Sequence, residues 1–520
     1  MMKEFVIGLD IGTTSAKSVI FKKDGTVVSE DEQNYPVFHS HPSWAEQDPL
    51  LIERSAILAM KNALQSKGIK GEQILSVGLS SAMHSLVCVD EENNPLSPSM
   101  TWADGRSDAQ AIALKNSLLG TEIYLQSGTP IHPMSPLVKL IWMHENNYPA
   151  YHSAAKFLSI KEFLTSRWFG IDAVDYSVAS ATGLFDMKNK EWNEEALKLA
   201  GIHSDQLSKA VSPTFVFEGL KKDIAQEMGV PVDLPFVAGG SDGPLANLGI
   251  GAINPGETAI TIGTSGAIRQ MSARPQTDER QEAFCYSFTD DLWIIGGPTN
   301  NGGIVLQWLI DVLGQKEVEE ALHHGGDAHS LLLRAAENVA PGAGGLIFLP
   351  YINGERAPHW DAKARGAYVG LSMDHRKEHM TRAGLEGVLF SLLNVSEALN
   401  RLAGKTSTLY ASGGFARSSF WVQMLADIFG QEVHLPESHQ SSAWGAAWIS
   451  LLAIGEVSDL ASIKQHIPMK NVISPNEENE EIYRNLYPIY RNLYDALKPT
   501  YDQLHTFRSS EIEGEWSKWI

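Results

Sequence analysis

A strand, a Gly/Thr turn and a second strand occur twice in this chain, almost half a chain-length apart. The first copy runs Phe5-Val6-Ile7-Gly8-Leu9-Asp10, turns through Gly12-Thr13-Thr14-Ser15, and returns as Ala16-Lys17-Ser18-Val19-Ile20-Phe21. The second runs Thr258-Ala259-Ile260-Thr261-Ile262, turns through Gly263-Thr264-Ser265-Gly266, and returns as Ala267-Ile268-Arg269-Gln270-Met271. β-Branched and apolar residues dominate each run, which is what a pleated, half-buried strand favours. The chain's 520 residues are enough for two domains with a full hydrophobic core each. Two similar halves, each opening on the same hairpin, imply a duplicated domain with a cleft between the copies.

The segments between the hairpins set the fold class. Lys22-Lys23-Asp24-Gly25 reads as a turn into a third strand, Thr26-Val27-Val28. Leu51, Ile52, Ile57, Leu58 and Leu64 give residues 48–66 a helical pattern. A buried strand follows at residues 74–79, and strands alternating with helices indicate an α/β architecture. The expected division is an N-terminal domain over 1–245, a C-terminal domain over 246–505 and a frayed tail over 506–520. Before that tail, Tyr483-Arg484-Asn485-Leu486-Tyr487 is echoed by Tyr490-Arg491-Asn492-Leu493-Tyr494. This predicts an amphipathic helix that packs an aromatic face on the second domain.

Charge and cysteine content exclude several classes. Lys and Arg number 41 against 62 Asp and Glu, a net charge of −21. A nucleic-acid binder needs a basic stripe to displace counterions, so that partner is excluded, as is base stacking on the tyrosine helix. The acidity is read as keeping the protein soluble. Only Cys88 and Cys285 occur, which rules out a disulfide framework and points to a reducing compartment. The apolar opening stretch is interrupted by Asp10 and lacks a cleavage pattern, and no later run reaches membrane-spanning length. A cytoplasmic protein with no membrane partner is expected.

The turns carry the chemistry. A transferring phosphoryl group spreads negative charge over its oxygens and needs oriented N–H groups, hydroxyls and a metal. Glycine lets backbone amides approach phosphate closely, and Thr13, Thr14, Thr264 and Ser265 add hydroxyls beside them. Asp10 precedes the first turn, where a carboxylate can hold Mg²⁺ through water, and Lys17 can reach a phosphate as a point charge. Either turn alone needs no ligand. Two related turns with an acid before the first favour phosphate.

Other motifs fail. A P-loop ending at Gly404-Lys405-Thr406 would need glycine where Leu399 stands. The dinucleotide pattern begun by Gly249-Ile250-Gly251 meets Asn254, and Ala267 spoils a nucleophile elbow at Ser265. His375 and His379 have metal-ligand spacing but sit among charged residues, as a solvated turn would.

Between the halves, Val237-Ala238-Gly239-Gly240 delivers Ser241-Asp242 into a glycine-flanked turn. Asp242 can take the proton from a hydroxyl attacking a γ-phosphate. Its plain alternative is a helix cap. Gly413-Gly414-Phe415-Ala416-Arg417-Ser418 joins a strand to a helix with small residues that admit a flat adenine against backbone.

Taken in order, Asp10-Ile11-Gly12-Thr13-Thr14, Gly239-Gly240-Ser241-Asp242, Ile262-Gly263-Thr264-Ser265-Gly266 and Ser412-Gly413-Gly414 resemble the signature stretches of the FGGY carbohydrate kinases. The resemblance spans nearly the whole chain. It implies two ribonuclease-H-like domains of the actin/hexokinase superfamily with ATP and substrate in the cleft, Asp242 as general base and Asp10 at Mg²⁺. It further implies that Gly12, Thr13, Thr14, Gly263 and Thr264 face the phosphates, and that Gly303, Gln307, Gly414 and Ser418 contact the nucleotide. Ser418 stands where glycerol kinase has asparagine.

For the acceptor, Met83-His84 falls where xylulokinase has a Met-His pair and glycerol kinase an Arg-Glu pair, which disfavours glycerol. With Trp102-Ala103-Asp104-Gly105-Arg106, the pattern looks most like the gluconate-phosphorylating members of the family. An open-chain polyol acid needs hydroxyl partners and one cation. His84, Asp104 and Arg106 are candidates for the first, and Arg106 or Lys139 for the second. The expectation is ATP-dependent conversion of D-gluconate to 6-phosphogluconate. A ketose or alditol kinase such as xylulokinase is the nearest rival, and an actin-like ATPase switch the rival of another class. The expected partner is a small sugar or sugar acid, and the expected assembly a homodimer.

Overall fold

The computed structural model describes residues 3–437 and 440–516, the last eight of these by backbone only. The chain forms two compact units. The first gathers Met1–Pro255, Met271–Ile295 and Ser438–Pro468, and the second Gly256–Gln270, Gly296–Glu437 and Met469–Ile520. The single boundary expected after residue 245 therefore gives way to an interrupted one, because two later segments return to the first unit.

The first unit is built on a six-stranded sheet. Its order is Val216–Phe217, Phe236–Ser241, Ile74–Ser81, Phe5–Ile11, Ser15–Lys22 and Val27–Asn34. Phe5–Ile11 pairs antiparallel with Ser15–Lys22 and parallel with Ile74–Ser81, which pairs parallel with Phe236–Ser241. All eight residues of Ile74–Ser81 are buried, as expected of a strand covered on both faces. One cover is the helix Pro49–Gln65, started by Asp48, whose carboxylate accepts from the Leu50 and Leu51 amides. It buries Ile52, Ala56, Met60 and Ala63 against the sheet, so Leu58, expected on the apolar face, is left 42% exposed. The other cover is the helix Ser441–Ala453, whose backbone lies directly on the strands. A Cβ on Gly8 would come 2.0 Å from the Ala443 carbonyl oxygen, and one on Gly78 1.8 Å from that of Ala446. Only glycine permits this approach.

The second unit repeats the pattern. Glu257–Ile262 pairs antiparallel with Gly266–Ser272 and parallel with Thr408–Ser412. Thr408–Ser412 pairs parallel with Val433–Pro436, which pairs antiparallel with Met469–Ile473. This anti, parallel, parallel, antiparallel sequence matches that of the first unit from Ser15–Lys22 to Val216–Phe217. The 27-residue helix Lys377–Ala403 packs along this unit, and the terminal helix Glu477–Trp516 lays Tyr483 and Tyr490 on Phe390. Tyr483, Tyr490, Tyr494 and Tyr501 are buried, so the repeated aromatics form core as anticipated. The tail expected to fray beyond Thr506 instead continues as helix to Trp516, and residues 517–520 lie outside those described. Cys88 and Cys285 are buried free thiols, each pushed up to about 12 by burial.

Candidate nucleotide and sugar sites

In the second unit, the hairpin turn between Glu257–Ile262 and Gly266–Ser272 closes with the Gly263 amide donating to the Ser265 carbonyl at 2.9 Å. The helix Gly303–Leu313 docks its first turn on it. Gly303 N–H donates to the Gly263 carbonyl at 2.6 Å and Ile304 N–H to the Thr264 carbonyl at 3.0 Å. A Cβ on Gly303 would stand 2.7 Å from the Gly263 oxygen, so the contact requires glycine. Beside it opens a cavity of about 1030 Å³. Gly263, Thr264, Gly303, Gln307, Gly414 and Ser418 all line it. The six residues of this half that the resemblance assigns to the nucleotide therefore meet at one cavity, while Ser265 is not among its lining residues.

Two of them have settled partners. Ser418 Oγ accepts from the Trp421 amide at 3.2 Å, so this serine caps the helix Ser419–Phe429. Gln307 donates to Asp311 at 2.8 Å, and its carbonyl oxygen faces His329 Nε2 at 3.0 Å. His329 Nδ1 in turn faces Asp327 at 3.0 Å. Asp327, His329 and Arg334 line the cavity and were not anticipated; one isolated histidine and acid in a polar helix give no spacing signal.

Glu355 was also missed. It is 1% exposed and accepts from Thr299 Oγ1 at 2.8 Å, the Asn300 amide at 3.2 Å and Asn301 Nδ2 at 3.3 Å. Burial pushes its pKa up against these bonds. The carboxylate thus fixes the loop that delivers Gly302 and Gly303 to the turn.

In the first unit, the Gly12 amide donates to the Ser15 carbonyl at 2.9 Å, closing the matching turn. Asp10 is half-buried beside it, with Oδ1 accepting from Ser80 Oγ at 2.7 Å and Oδ2 from Ser442 Oγ at 2.6 Å. A single carboxylate held by two hydroxyls, next to an exposed Thr14, is a donor that would suit a hydrated Mg²⁺. Lys17, expected at a phosphate, lies 3.8 Å from Glu30 and 3.7 Å from Glu32, which share its charge.

The acceptor-side residues gather in the same unit. Asp242 opens the helix Asp242–Gly249, half-buried, and its Oδ1 accepts from the Gly243 amide at 2.7 Å. Met83 packs, half-buried, against the core between sheet and Ser441–Ala453. His84 holds a positive φ of 66°, and its Nδ1 lies 2.7 Å from the Ala181 carbonyl, which fixes the proton on Nδ1. Trp102 is half-buried and donates from Nε1 to Thr13 Oγ1 at 3.0 Å.

The two candidate cations are already engaged. Arg106 Nε and Nη2 donate to Asp104 at 2.8 and 2.7 Å, and Nη2 also to Glu46 at 2.6 Å. Its guanidinium stacks 3.6 Å from the centroid of the Trp44 ring. Asp104 further accepts from the Ala45 amide at 2.8 Å. Asp104 and Arg106 are thus first of all each other's partners, and two carboxylates offset the one guanidinium. Lys139 is 0% exposed, and Nζ donates to the carbonyls of His84 and Thr101 at 2.7 Å each. Burial lowers its pKa to about 7 although Asp104 works the other way. Lys139 thereby ties the His84 loop to the Thr101–Arg106 loop.

Both halves of the chain match known domains. Residues 5–249 match the N-terminal domain, and residues 258–454 the C-terminal domain, of the FGGY family of carbohydrate kinases. The chain belongs to this family. Over 489 residues it is 45% identical to gluconokinase of Bacillus subtilis (strain 168), covering 94% of this chain and 95% of that protein. The structure is similar to that of gluconate kinase from Lactobacillus acidophilus, at 33% identity and a TM-score of 0.90, covering 96% and 99% of the two chains. It is equally similar to a ligand-bound xylulose kinase from Lactobacillus acidophilus, at 33% identity and a TM-score of 0.91 with the same coverage. The repeated α/β units are therefore those of an actin/hexokinase-like sugar kinase. Among the described residues, no helix is long and apolar enough to cross a membrane.

Proposed function

We propose that this FGGY kinase transfers the γ-phosphoryl group of ATP to D-gluconate, giving 6-phosphogluconate and ADP. The observation that carries the substrate is the 45% identity to a gluconokinase across 94% of the chain. The cavity lined by Gly263, Thr264, Gly303, Gln307, Gly414 and Ser418 supports nucleotide binding in the second unit.

In this reading Asp242 accepts the proton of the attacking hydroxyl, and the amides and hydroxyls of Thr13 and Thr14, in the turn that the Gly12 amide closes, stabilise charge on the moving phosphoryl group. His84, whose Nδ1 is bonded to the Ala181 carbonyl, is in this reading a partner of the polyol. Mg²⁺, held at Asp10, would neutralise phosphate charge. Transfer is direct, from ATP oxygen to sugar oxygen, and needs the nucleotide to reach the hydroxyl with water excluded.

A second reading, D-xylulose as acceptor, is favoured by the equal likeness to a xylulose kinase structure. ADP release with Mg·ATP across D-gluconate, D-xylulose, L-ribulose, glycerol and water alone separates the two. Stimulation by gluconate above all others is expected, and a stronger response to xylulose would replace the proposed substrate. Asp242→Asn should lower kcat by about 10³-fold with little change in the KM for ATP.

A further inference from the structure

The strand that delivers Asp242 is held by a buried charge to which the proposed reaction gives no role. The helix Ile160–Phe169 starts with a capping box, in which Ser159 Oγ accepts from the Glu162 amide and Glu162 from the Ser159 amide. This fixes Lys161 in the first turn, directed inward and 3% exposed. Its Nζ donates to the Ala238 carbonyl at 2.9 Å and the Gly240 carbonyl at 3.0 Å, and lies 2.6 Å from Asp175 Oδ2.

Those two carbonyls are available because the strand bulges there. The register of Phe236–Ser241 against Ile74–Ser81 shifts between Val237 and Gly240. Gly239, between them, has φ +61°, and a Cβ on it would lie 1.9 Å from the Leu79 carbonyl oxygen. A bulge exposes main-chain oxygens that the ladder would otherwise bond, and a buried oxygen without a donor is costly.

Asp175 extends the network to the residue beside Asp242. Its Oδ1 caps the short helix Tyr176–Ser180, accepting from the Ser177 amide at 3.0 Å and Ser177 Oγ at 2.5 Å. Ser177 Oγ in turn accepts from the Ser241 amide at 2.8 Å and the Ser241 hydroxyl at 3.1 Å. Main-chain atoms four, two and one residues before Asp242 are thus anchored to one lysine–aspartate pair.

We infer that Lys161 is a positioning residue for phosphoryl transfer: with Asp175 and Ser177 it fixes the bulge from which Asp242 projects. The inference rests on the reading of Asp242 as general base. A buried ion pair can be exchanged for uncharged groups at modest cost to stability, so position and stability can be separated here. A general base displaced by about 1 Å loses rate on the order of 10²-fold without losing nucleotide affinity.

The test uses the full-length enzyme, with three variants assayed at a temperature well below each melting midpoint. Lys161→Met combined with Asp175→Asn removes both charges; Ser177→Ala removes only the hydroxyl that reaches Ser241; Asp242→Asn tests the base itself. The double variant is expected to lose kcat about 10- to 100-fold with the KM for ATP within about twofold of wild type. Ser177→Ala should lose kcat about tenfold in the same way, and stands as the deciding variant if the double variant does not fold. Wild-type kcat in either folded variant, alongside an inactive Asp242→Asn, would overturn the positioning role and leave the base reading intact. An Asp242→Asn enzyme turning over at the wild-type rate would overturn both.

Discussion

The indole N–H of Trp102 donates to the hydroxyl of Thr13 at 3.0 Å, so a residue expected at the sugar is bonded to one expected at the phosphates. Thr13 is also held by its carbonyl, which accepts from Gln47 Nε2 at 2.6 Å. The hairpin turn and the loop that carries Asp104 and Arg106 are therefore one bonded assembly. Trp102→Phe keeps the ring and removes the donor, and should lower kcat/KM for the sugar about tenfold. A double-mutant cycle with Thr13→Val reads the coupling; purely additive losses would show the bond to be idle.

The turn at Gly263 leaves no room for a side chain at Gly303, where a Cβ would sit 2.7 Å from a carbonyl oxygen. Gly303→Ala must move the first turn of Gly303–Leu313 off the hairpin. We predict a rise of at least about tenfold in the KM for ATP, with the KM for the sugar changed far less. Isothermal titration with ADP checks this without turnover. Unchanged ADP affinity would remove Gly303 from the nucleotide site.

Arg106 carries two carboxylates and a stacked indole, so its removal strands Asp104 and Glu46 in a buried setting. Arg106→Met should cost about 3–5 kcal/mol in urea unfolding. Its effect on kcat/KM should be equal, within about twofold, for gluconate and for any uncharged sugar that the enzyme accepts. A loss confined to gluconate would instead make Arg106 a reader of the carboxylate.

Lys139 gives a pH signature. An unfolded chain protonates this lysine near 10.5, whereas burial holds it to about 7 in the folded protein. Between those values the unfolded state binds more protons, so stability rises with pH from about 7 toward 10.5. The gain is on the order of a few kcal/mol. Denaturant unfolding of wild type against Lys139→Met across this window should show the slope in the first and not the second. Parallel curves would mean that Lys139 is charged in the fold.

What could be read from the sequence was what backbone chemistry writes locally. The Gly/Thr turns, the Asp242 loop and the Gly413-Gly414 loop are legible because glycine, threonine and aspartate at a strand end have few other uses, and their cavity-lining members in the second half do converge. Lys161 and Glu355 were not legible, because a lysine or glutamate in a chain this polar reads as surface until the fold shows what surrounds it. The ion pair of Arg106, a candidate partner of the sugar in sequence, was hidden for the same reason, since Glu46 lies sixty residues away. The interrupted boundary between the units was hidden too. Nothing near Ser441–Ala453 signals that its backbone belongs on Gly8 and Gly78, or that Ser442 completes the setting of Asp10.

That returning helix bears on the order in which the protein can be made. Phe5–Ile11 and Ile74–Ser81 leave the ribosome early, yet the helix that lies on Gly8 and Gly78 comes from residues 441–453. During synthesis the first sheet is expected to wait, one apolar side open, until almost the whole chain has emerged. A fragment ending near residue 250 would lack that helix and leave the strip at Gly8 and Gly78 exposed.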